Sequence, residues 1–195
     1  MRAWLRGVSL RDAREAGEAV ARRLGAVAAW QRAATVALYA SLPGEVATTT
    51  LIAMGWAEGR RLLLPRVVGG GDLVFVEHLP DVPLVGGAFG VPEPPEHARI
   101  VDLDEAELIL VPGLAFDRRG GRLGRGAGYY DRALAGIGLQ AAPRATAGRD
   151  GSVPRTMGVA FDLQLVDGVP MDEQDVRMEA VVSPSAVYAA PGQSG

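Results

Sequence analysis

The spacing of hydrophobic and polar positions near the start of the chain predicts an amphipathic helix over residues 9–26, "SLRDAREAGEAVARRLGA". Its apolar residues recur at helical spacing, at Ala13, Ala16, Val20 and Leu24. Ser9 lies three residues before Asp12, an arrangement similar to the capping box that starts many helices. We therefore expect a surface helix that buries one face.

The next three segments alternate between strand and helix patterns. Residues 35–45, "TVALYASLPGE", begin as a buried strand and run into a Pro-Gly turn that is followed by Glu45. Residues 48–59, "TTTLIAMGWAEG", are typical of a helix, and residues 60–67, "RRLLLPRV", of a second strand. This order predicts two parallel strands joined by a right-handed crossover.

The second half of the chain continues this alternation. Residues 71–79 predict a further strand, whereas residues 80–97 are rich in Pro and Gly and predict an ordered surface loop. Residues 107–116, "ELILVPGLAF", are the most continuous apolar run and predict one central strand buried on both faces. Residues 128–138 predict a short helix. The remaining segments predict a flexible connection over 140–156, strands over 157–161 and 177–184, and a disordered tail over 189–195.

Length and composition favour a single domain over residues 1–195. The chain is 48% hydrophobic, enough for one sizeable core, and its pattern predicts an α/β fold with a mostly parallel central sheet flanked by helices. The net charge of -3 argues against nonspecific binding to nucleic acid. The N-terminus lacks the apolar core of a signal peptide, and no window reaches the ~18 apolar residues of a membrane span. We therefore expect a cytoplasmic monomer without a membrane or nucleic-acid partner.

The amino-acid types that the chain lacks exclude several kinds of chemistry. It contains no cysteine, which excludes disulfides, thiolate nucleophiles and cysteine-based zinc sites. All twenty of its basic residues are arginines. The absence of lysine excludes the Walker-type phosphate loop and Schiff-base catalysis. Any phosphate group must therefore be bound by arginine, by backbone amides or through a metal ion.

Residues 122–134, "RLGRGAGYYDRAL", are a candidate phosphate-binding loop. Alternate positions are glycine, between a predicted strand and a predicted helix, so free backbone amides could face an anion. The dinucleotide-binding fingerprint fails because Tyr129 stands where its third glycine would be. A sharp turn that merely opens a helix would explain the glycines. It would not explain the polar and aromatic residues among them, Arg122, Arg125, Tyr129 and Asp131.

The longer segment 108–134, "LILVPGLAFDRRGGRLGRGAGYYDRAL", resembles the signature of the 5-formyltetrahydrofolate cyclo-ligases, also called 5,10-methenyltetrahydrofolate synthetases. The likeness extends to "LYASLPGEVATTTLI", "LLLPRV", "FGVPEPPE" and "GVAFDLQLVDGVPMDEQDVRMEAVVSP", and together these segments span roughly residues 9–184. The resemblance implies an α/β sandwich related to the ribose-phosphate isomerase and CoA-transferase type.

The resemblance also implies an activity. Members of the family convert 5-formyltetrahydrofolate and ATP, with Mg²⁺, into 5,10-methenyltetrahydrofolate, ADP and phosphate. ATP is thought to phosphorylate the formyl oxygen, after which N10 closes on the activated carbon and phosphate leaves. Such chemistry needs positioning and charge stabilisation more than a protein nucleophile. The small-molecule partner would be 5-formyltetrahydrofolate, with or without a polyglutamate tail.

Carried over position by position, the resemblance implies roles for ten residues. The residues implied to contact ATP are Arg122, Arg125, Gly126, Ala127, Gly128 and Tyr129, with Arg122, Arg125 and Tyr129 also catalytic. Asp131 and Asp175 would hold Mg²⁺, for which carboxylate oxygens are suitable ligands. Glu45 and the backbone near Ala40 would contact the folate. Without the resemblance, Asp131 is simply a first-turn helix acid and Asp175 a loop acid.

Two departures from the family pattern leave an alternative function open. Ala127 stands where many relatives have Gly or Lys. Relatives also begin with a basic helix containing a K-x-x-L-R-like motif, and Arg2 and Arg6 lie downstream of that position, so we expect weakened ATP binding. The alternatives are a non-catalytic folate- or nucleotide-binding paralogue and a paralogue that acts on another small metabolite.

The remaining aromatic and histidine residues are expected to be structural. Of the two adjacent tyrosines, Tyr130 is expected to be the core ring and Tyr129 the surface ring. His78 and His97 have no ligand-like spacing, so we expect both on exposed loops or edges.

Overall fold

The computed structural model describes residues 1–69, 71–87, 90, 92–137 and 155–191. Its helices are α1 (Arg2–Arg6), α2 (Leu10–Leu24), α3 (Ala28–Arg32), α4 (Thr49–Ala57) and α5 (Tyr129–Ala135). Its strands are β1 (Thr35–Ala37), β2 (Arg61–Val68), β3 (Asp72–Glu77), β4 (Val85–Gly86), β5 (Pro92–Glu93), β6 (Ile100–Val101), β7 (Leu108–Val111), β8 (Ala115–Asp117), β9 (Arg122–Leu123), β10 (Arg155–Val159), β11 (Leu165–Val166), β12 (Ala180–Val182) and β13 (Val187–Ala189).

The fold is built on an eight-stranded sheet with the order β13-β12-β10-β7-β1-β2-β3-β6. The five central strands are parallel, with β1 between β2 and β7, and β10 between β7 and β12. Antiparallel pairs lie toward the two edges, where β3 joins β2 and β6, and β13 joins β12. The predicted α/β fold with a mostly parallel sheet is confirmed, as is the parallel β1-α4-β2 unit.

Helix α2 forms as its local sequence predicts. The Ser9 hydroxyl accepts a hydrogen bond of 3.1 Å from the Asp12 amide, which satisfies one of the free donors at the helix start. The buried face of the helix is Ala13, Ala16, Gly17, Val20, Ala21 and Leu24. The helix therefore packs through the apolar stripe that the sequence shows, and its arginines lie on the opposite side.

Two apolar layers cover the two faces of the sheet. Leu62 and Leu64 of β2 point into one layer, with the side chains of α2, α3 and α4, while Leu63 points into the other, with Leu134 of α5. Alternate residues of β7 divide between the two layers in the same way. Both strands are thus buried on both faces, as expected for central parallel strands.

The prediction of one strand over residues 107–116 is wrong in extent. Strand β7 ends at Val111, and β8 belongs to a separate three-stranded sheet with the order β11-β8-β9. Pro112 has no backbone N–H to continue the ladder. The Leu114 amide then donates to the Leu123 carbonyl at 2.7 Å, which directs the chain into the small sheet.

The predicted surface loop over residues 80–97 contains a short hairpin of β4 and β5. Arg66 of β2 holds the end of this loop by donating to the carbonyls of Pro95 and Glu96 at 2.8 and 3.0 Å. The Val67 amide also donates to the Glu93 carboxylate at 3.3 Å. These bonds bring Glu93 against the sheet, although residues 88, 89 and 91 lie outside the described part of the chain.

Several predicted segments fall near or outside the described ranges. The structure does not describe residues 138–154, which include most of the predicted connection over 140–156. It also does not describe residues 192–195 of the predicted tail. The tail prediction started too early, because β13 ends at Ala189. In the described ranges, no helix is both long and apolar enough to cross a membrane.

The prediction that His78 is exposed is wrong, whereas His97 is exposed as expected. His78 is 5% exposed, and its ring centroid lies 5.0 Å from that of Trp56. Burial lowers the pKa of the imidazole because the protonated form would lose its hydration. His78 is therefore a buried residue whose neutral form the fold favours.

Candidate active site

A cavity of about 440 Å³ lies at the carboxyl ends of the central parallel strands. Its walls come from the loops that follow β1 and β7, from the segment between β9 and α5, and from β2, β3 and β5. In open α/β sheets this edge collects ligands because loops from neighbouring strands converge there. The candidate phosphate-binding loop contributes Arg122, Arg125 and Asp131 to this cavity.

The segment from Gly124 to Gly128 needs glycine at two of its positions. Gly126 has φ of 101° and Gly128 has φ of 66°, which is backbone that other residues adopt only with strain. Gly128 is the N-cap of α5, and its carbonyl accepts from the Arg132 amide at 3.0 Å. The segment therefore turns sharply into the helix and exposes backbone at the rim of the cavity.

The turn that carries Ala40 and Glu45 is held by a local hydrogen-bond network. The Thr48 hydroxyl donates to the Tyr39 carbonyl at 2.6 Å and accepts from the Ser41 amide at 3.2 Å. The Thr48 amide in turn donates to the Ser41 hydroxyl at 3.3 Å. This network fixes the turn after β1, so that both predicted folate residues line the cavity.

Arg125 and Glu45 form an ion pair between segments that are 80 residues apart. The Arg125 Nε and Nη2 atoms both donate to Glu45 Oε1, at 3.1 and 2.9 Å. Glu45 Oε2 accepts from the Leu42 amide at 2.9 Å. Burial raises the pKa of Glu45, while the Leu42 amide and the Arg125 guanidinium oppose that rise. The pair joins a residue predicted for ATP to one predicted for folate.

Arg122 and Asp131 form a second ion pair in the wall of the cavity. The Arg122 side chain is only 3% exposed and the Asp131 side chain is 22% exposed. Arg122 Nη1 also donates to the Pro112 carbonyl at 3.4 Å. Asp131 is therefore more than a first-turn helix acid, because it neutralises a buried guanidinium.

Both adjacent tyrosines are partly buried, and the predicted difference between a core ring and a surface ring is seen only in what they contact. Tyr130 packs against both apolar layers, and its ring centroid lies 5.9 Å from the Arg122 guanidinium carbon. Tyr129 is partly exposed, and the Arg132 guanidinium carbon lies 5.5 Å from its ring centroid. Both rings line the cavity.

The structure brings eight of the ten predicted residues to the cavity wall: Ala40, Glu45, Arg122, Arg125, Ala127, Gly128, Tyr129 and Asp131. Gly126 lies in the same loop but not in the wall, and Asp175 lies in the loop between β11 and β12. The Asp175 carboxylate accepts from the Asp172 amide at 2.8 Å. Across the described ranges, no group of three or more acidic or histidine side chains is placed to hold a metal ion. The paired metal ligands stay a prediction.

Sequence reasoning missed four kinds of contact to this site. Apolar wall residues come from β2 and β3, at Pro65, Val67 and Leu73, and a buried carboxylate comes from Glu93. Arg2 of α1 donates to the Arg125 carbonyl at 3.1 Å, although it was placed outside the family motif. Tyr39 and Tyr130 supply buried hydroxyls. The Pro-rich segment around Glu93 could have been recognised from the sequence as a part of the site. The other contacts depend on which distant segments the fold brings together, and the sequence does not show this.

Comparisons with known proteins agree on one family. The family model described as the 5-formyltetrahydrofolate cyclo-ligase family matches residues 1–184. The 5-formyltetrahydrofolate cyclo-ligase of Escherichia coli K12 is 32% identical over 186 residues, covering 94% of this chain and 96% of that protein. The enzyme of the same name from Mycolicibacterium smegmatis is 35% identical over 156 residues, covering 77% of this chain and 73% of that protein.

Solved structures show the same similarity. The 5,10-methenyltetrahydrofolate synthetase of Aquifex aeolicus superposes with a TM-score of 0.77 at 29% identity, covering 99% of this chain and 90% of that chain. The 5,10-methenyltetrahydrofolate synthetase of Mycoplasma pneumoniae has a TM-score of 0.68 at 17% identity, with 93% of each chain covered, which is a likeness of fold alone.

Proposed function

The chain belongs to the 5-formyltetrahydrofolate cyclo-ligase family, and we propose that it cyclises 5-formyltetrahydrofolate to 5,10-methenyltetrahydrofolate with Mg²⁺ and ATP, releasing ADP and phosphate. The observation that carries this proposal is the Arg125–Glu45 ion pair. It joins the glycine loop to the turn after β1 inside one cavity. A nucleotide and a folate bound to these two segments would meet where the pair lies.

Glu45 and the apolar wall of the cavity support a folate subsite. The wall formed by Leu42, Pro65, Val67 and Leu73 offers apolar contact to a pterin ring. The Glu45 carboxylate can accept hydrogen bonds from the N–H groups at a pterin edge. Binding would be favoured by burying the ring and oriented by the carboxylate.

Arg122, Arg125 and the glycine loop support a phosphate subsite. Guanidinium groups bind phosphate oxygens through paired charge-assisted hydrogen bonds, and glycines let backbone amides approach the same oxygens. Arg125 is the more adaptable of the two arginines, because its side chain is 48% exposed whereas that of Arg122 is 3% exposed. We assign Arg125 to the transferred phosphate, Arg122 to a fixed position beside it, and Tyr129 to the adjacent nucleotide wall.

The residues at the junction would promote the reaction by position and charge. Attack of the formyl oxygen on the terminal phosphorus of ATP forms the new P–O bond as the bond to ADP breaks. N10 then forms a bond to the activated carbon and loses its proton, and the carbon–oxygen bond breaks to release phosphate. Arg122 and Arg125 would stabilise the negative charge that develops on the phosphoryl oxygens, which is the main need of phosphoryl transfer.

Asp131 and Asp175 are the proposed ligands for Mg²⁺. Asp131 presents a carboxylate at the cavity wall, which fits a hard cation, and Asp175 adds a second carboxylate by family resemblance. When bound, the ion would neutralise phosphate charge. In the free protein Asp131 forms an ion pair with Arg122, and the Asp175 carboxylate accepts a hydrogen bond from the Asp172 amide.

The direct test mixes purified protein with 5-formyltetrahydrofolate and Mg²⁺ and follows the near-ultraviolet absorbance of the methenyl product with and without ATP. We expect an absorbance increase that requires ATP. An Arg22→Gln variant is a suitable control, because Arg22 is exposed on α2 outside the cavity wall. Folate binding without any ATP-dependent product would contradict the proposal and favour the non-catalytic binding protein.

A further inference from the structure

Tyr130 carries a buried hydroxyl that has no hydrogen-bond partner in the described protein. Its partly buried ring packs against residues of both apolar layers, and the residue lines the cavity. The Nε atom of Arg122, another cavity residue, is likewise a buried donor without a partner. Two unsatisfied donors in one wall indicate that a ligand supplies the acceptor.

A phenylalanine at this position would serve folding better than tyrosine. Burying a hydroxyl without a partner destabilises the folded state, since the hydroxyl loses its bonds to water. Tyr39 in the same cavity shows the ordinary arrangement, because its hydroxyl donates to the Val46 carbonyl at 3.2 Å. The Tyr130 hydroxyl therefore has a cost to stability that packing does not explain.

The phenol O–H is a hydrogen-bond donor that can serve a ligand in the cavity. The Tyr130 ring centroid lies 5.9 Å from the guanidinium carbon of Arg122, the proposed phosphate contact. Glu45, the proposed folate contact, lines the same cavity as both residues. A ligand atom that accepts a hydrogen bond from Tyr130 would therefore be an oxygen near the junction of the bound folate and the bound phosphate.

We propose that Tyr130 is a substrate-binding residue whose hydroxyl donates a hydrogen bond to the formyl oxygen of bound 5-formyltetrahydrofolate. This inference rests on the proposed function and adds a residue to it. The formyl oxygen is the folate atom that must face the transferred phosphoryl group, and a donor beside it would fix its direction. Tyr129, the neighbouring ring, remains a nucleotide contact.

The test compares Tyr130→Phe with wild-type protein by calorimetric titration of 5-formyltetrahydrofolate, of tetrahydrofolate under reducing conditions, and of ATP. We expect the variant to bind 5-formyltetrahydrofolate about 2- to 12-fold more weakly, as for loss of a neutral hydrogen bond. Affinity for tetrahydrofolate, which lacks the formyl group, and for ATP should be unchanged. The Tm should be equal to or above that of wild type.

Two matched variants control for the loss of a hydroxyl. Tyr39→Phe should lower the Tm, because it leaves the Val46 carbonyl unsatisfied. Tyr188→Phe, on β13 and outside the cavity, should change neither affinity nor Tm. A fall in Tm for Tyr130→Phe as large as that for Tyr39→Phe would overturn the inference. It would show that the Tyr130 hydroxyl has a hydrogen-bond acceptor within the folded protein.

The remaining outcomes separate this inference from the proposed function. Equal affinity of wild type and Tyr130→Phe for 5-formyltetrahydrofolate would overturn the inference alone. An equal loss for both folates, or a loss for ATP, would overturn the assignment to the formyl oxygen. Wild-type protein that binds neither folate would overturn the proposed function, and this inference with it.

Discussion

At the scale of single residues, the cavity depends on two arginines with different partners. Arg125 is half-exposed and pairs with Glu45, whereas Arg122 is enclosed and held by Asp131. Breaking a buried pair leaves an uncompensated charge, while an exposed partner can turn to water. Substitutions at the two pairs should therefore separate ligand binding from stability.

Arg125→Gln should weaken ATP binding about 10- to 150-fold, because a charge-assisted hydrogen bond contributes roughly 1.5–3 kcal/mol. The Tm should fall modestly, because half of the Arg125 side chain is exposed but the substitution leaves the buried Glu45 carboxylate without its guanidinium partner. Titration with ATP in the absence of folate measures the effect, and Arg22→Gln is the charge-matched control. A larger loss for folate than for ATP would show that Arg125 serves the folate subsite.

Asp131→Asn and Asp175→Asn should both raise the Mg²⁺ concentration needed for turnover, but they should differ in stability. Asp131→Asn leaves the buried Arg122 guanidinium without its carboxylate, which should cost about 1–3 kcal/mol of unfolding free energy. Asp175→Asn, in a partly exposed loop, should stay within about 0.5 kcal/mol of wild type. Urea unfolding and Mg²⁺ titration measure the two effects. Unchanged Mg²⁺ dependence in both variants would contradict the ligand assignment.

At the scale of elements, helix α2 positions the turn that carries Glu45. The Ala47 amide donates to the Ala13 carbonyl at 3.0 Å, and Gly17 packs directly against the Ala47 backbone. A side chain at Gly17 would overlap the Ala47 carbonyl. The absence of a Cβ at position 17 therefore lets the helix approach the turn. Helix propensity alone does not predict this requirement for glycine.

Two glycine substitutions, Gly17→Ala in α2 and Gly25→Ala at its C-cap, should have different effects on stability. Gly17→Ala should lower stability by about 1–3 kcal/mol through overpacking, although alanine is the better helix former. Gly25→Ala, at the C-cap with φ of -56° and no contact closer than 3.6 Å, should be neutral or stabilise by about 0.4–1 kcal/mol. Thermal unfolding of both variants tests this pair. Equal effects would show that the close approach does not limit the packing.

Secondary-structure elements were predicted correctly where nearby residues determine them, and incorrectly where distant strand pairing does. Helix α2 was predicted from its cap and stripe, both of which lie within the helix itself. The run over residues 107–116 was misread because hydrophobicity does not show that β8 pairs with β9 and β11 instead of extending β7. Strand β13 was missed because three residues at a sheet edge carry too little pattern.

At the scale of the whole molecule, burial of His78 links stability to pH. The folded pKa of His78 lies below its unfolded value near 6.5, so the unfolded chain binds the proton more tightly. The stability contributed by neutral His78 is fully present above that unfolded pKa and is lost as pH falls below it. The imidazole packs on Trp56 of α4. Protonation of His78 should therefore lower the free energy of unfolding of the whole protein.

His78→Phe should reduce the loss of unfolding free energy between pH 7 and pH 5, because the variant has no imidazole to protonate. His97→Gln is the control, since His97 is exposed and should leave the pH profile unchanged. Urea unfolding across this pH range provides the measurement. Parallel profiles for wild type and His78→Phe would show that other groups control stability in this range.

The sequence by itself determined the order of the major elements, the two-sided burial of the central strands and the family, because these follow from short-range periodicity and from a motif of adjacent residues. It also named most of the polar residues that line the cavity. Only the tertiary structure decided which of them pair, since Glu45 and Arg125 meet across 80 positions through the parallel arrangement of β1 and β7. The burial of His78 and the unsatisfied hydroxyl of Tyr130 were likewise invisible, because both depend on what the folded chain places around a side chain.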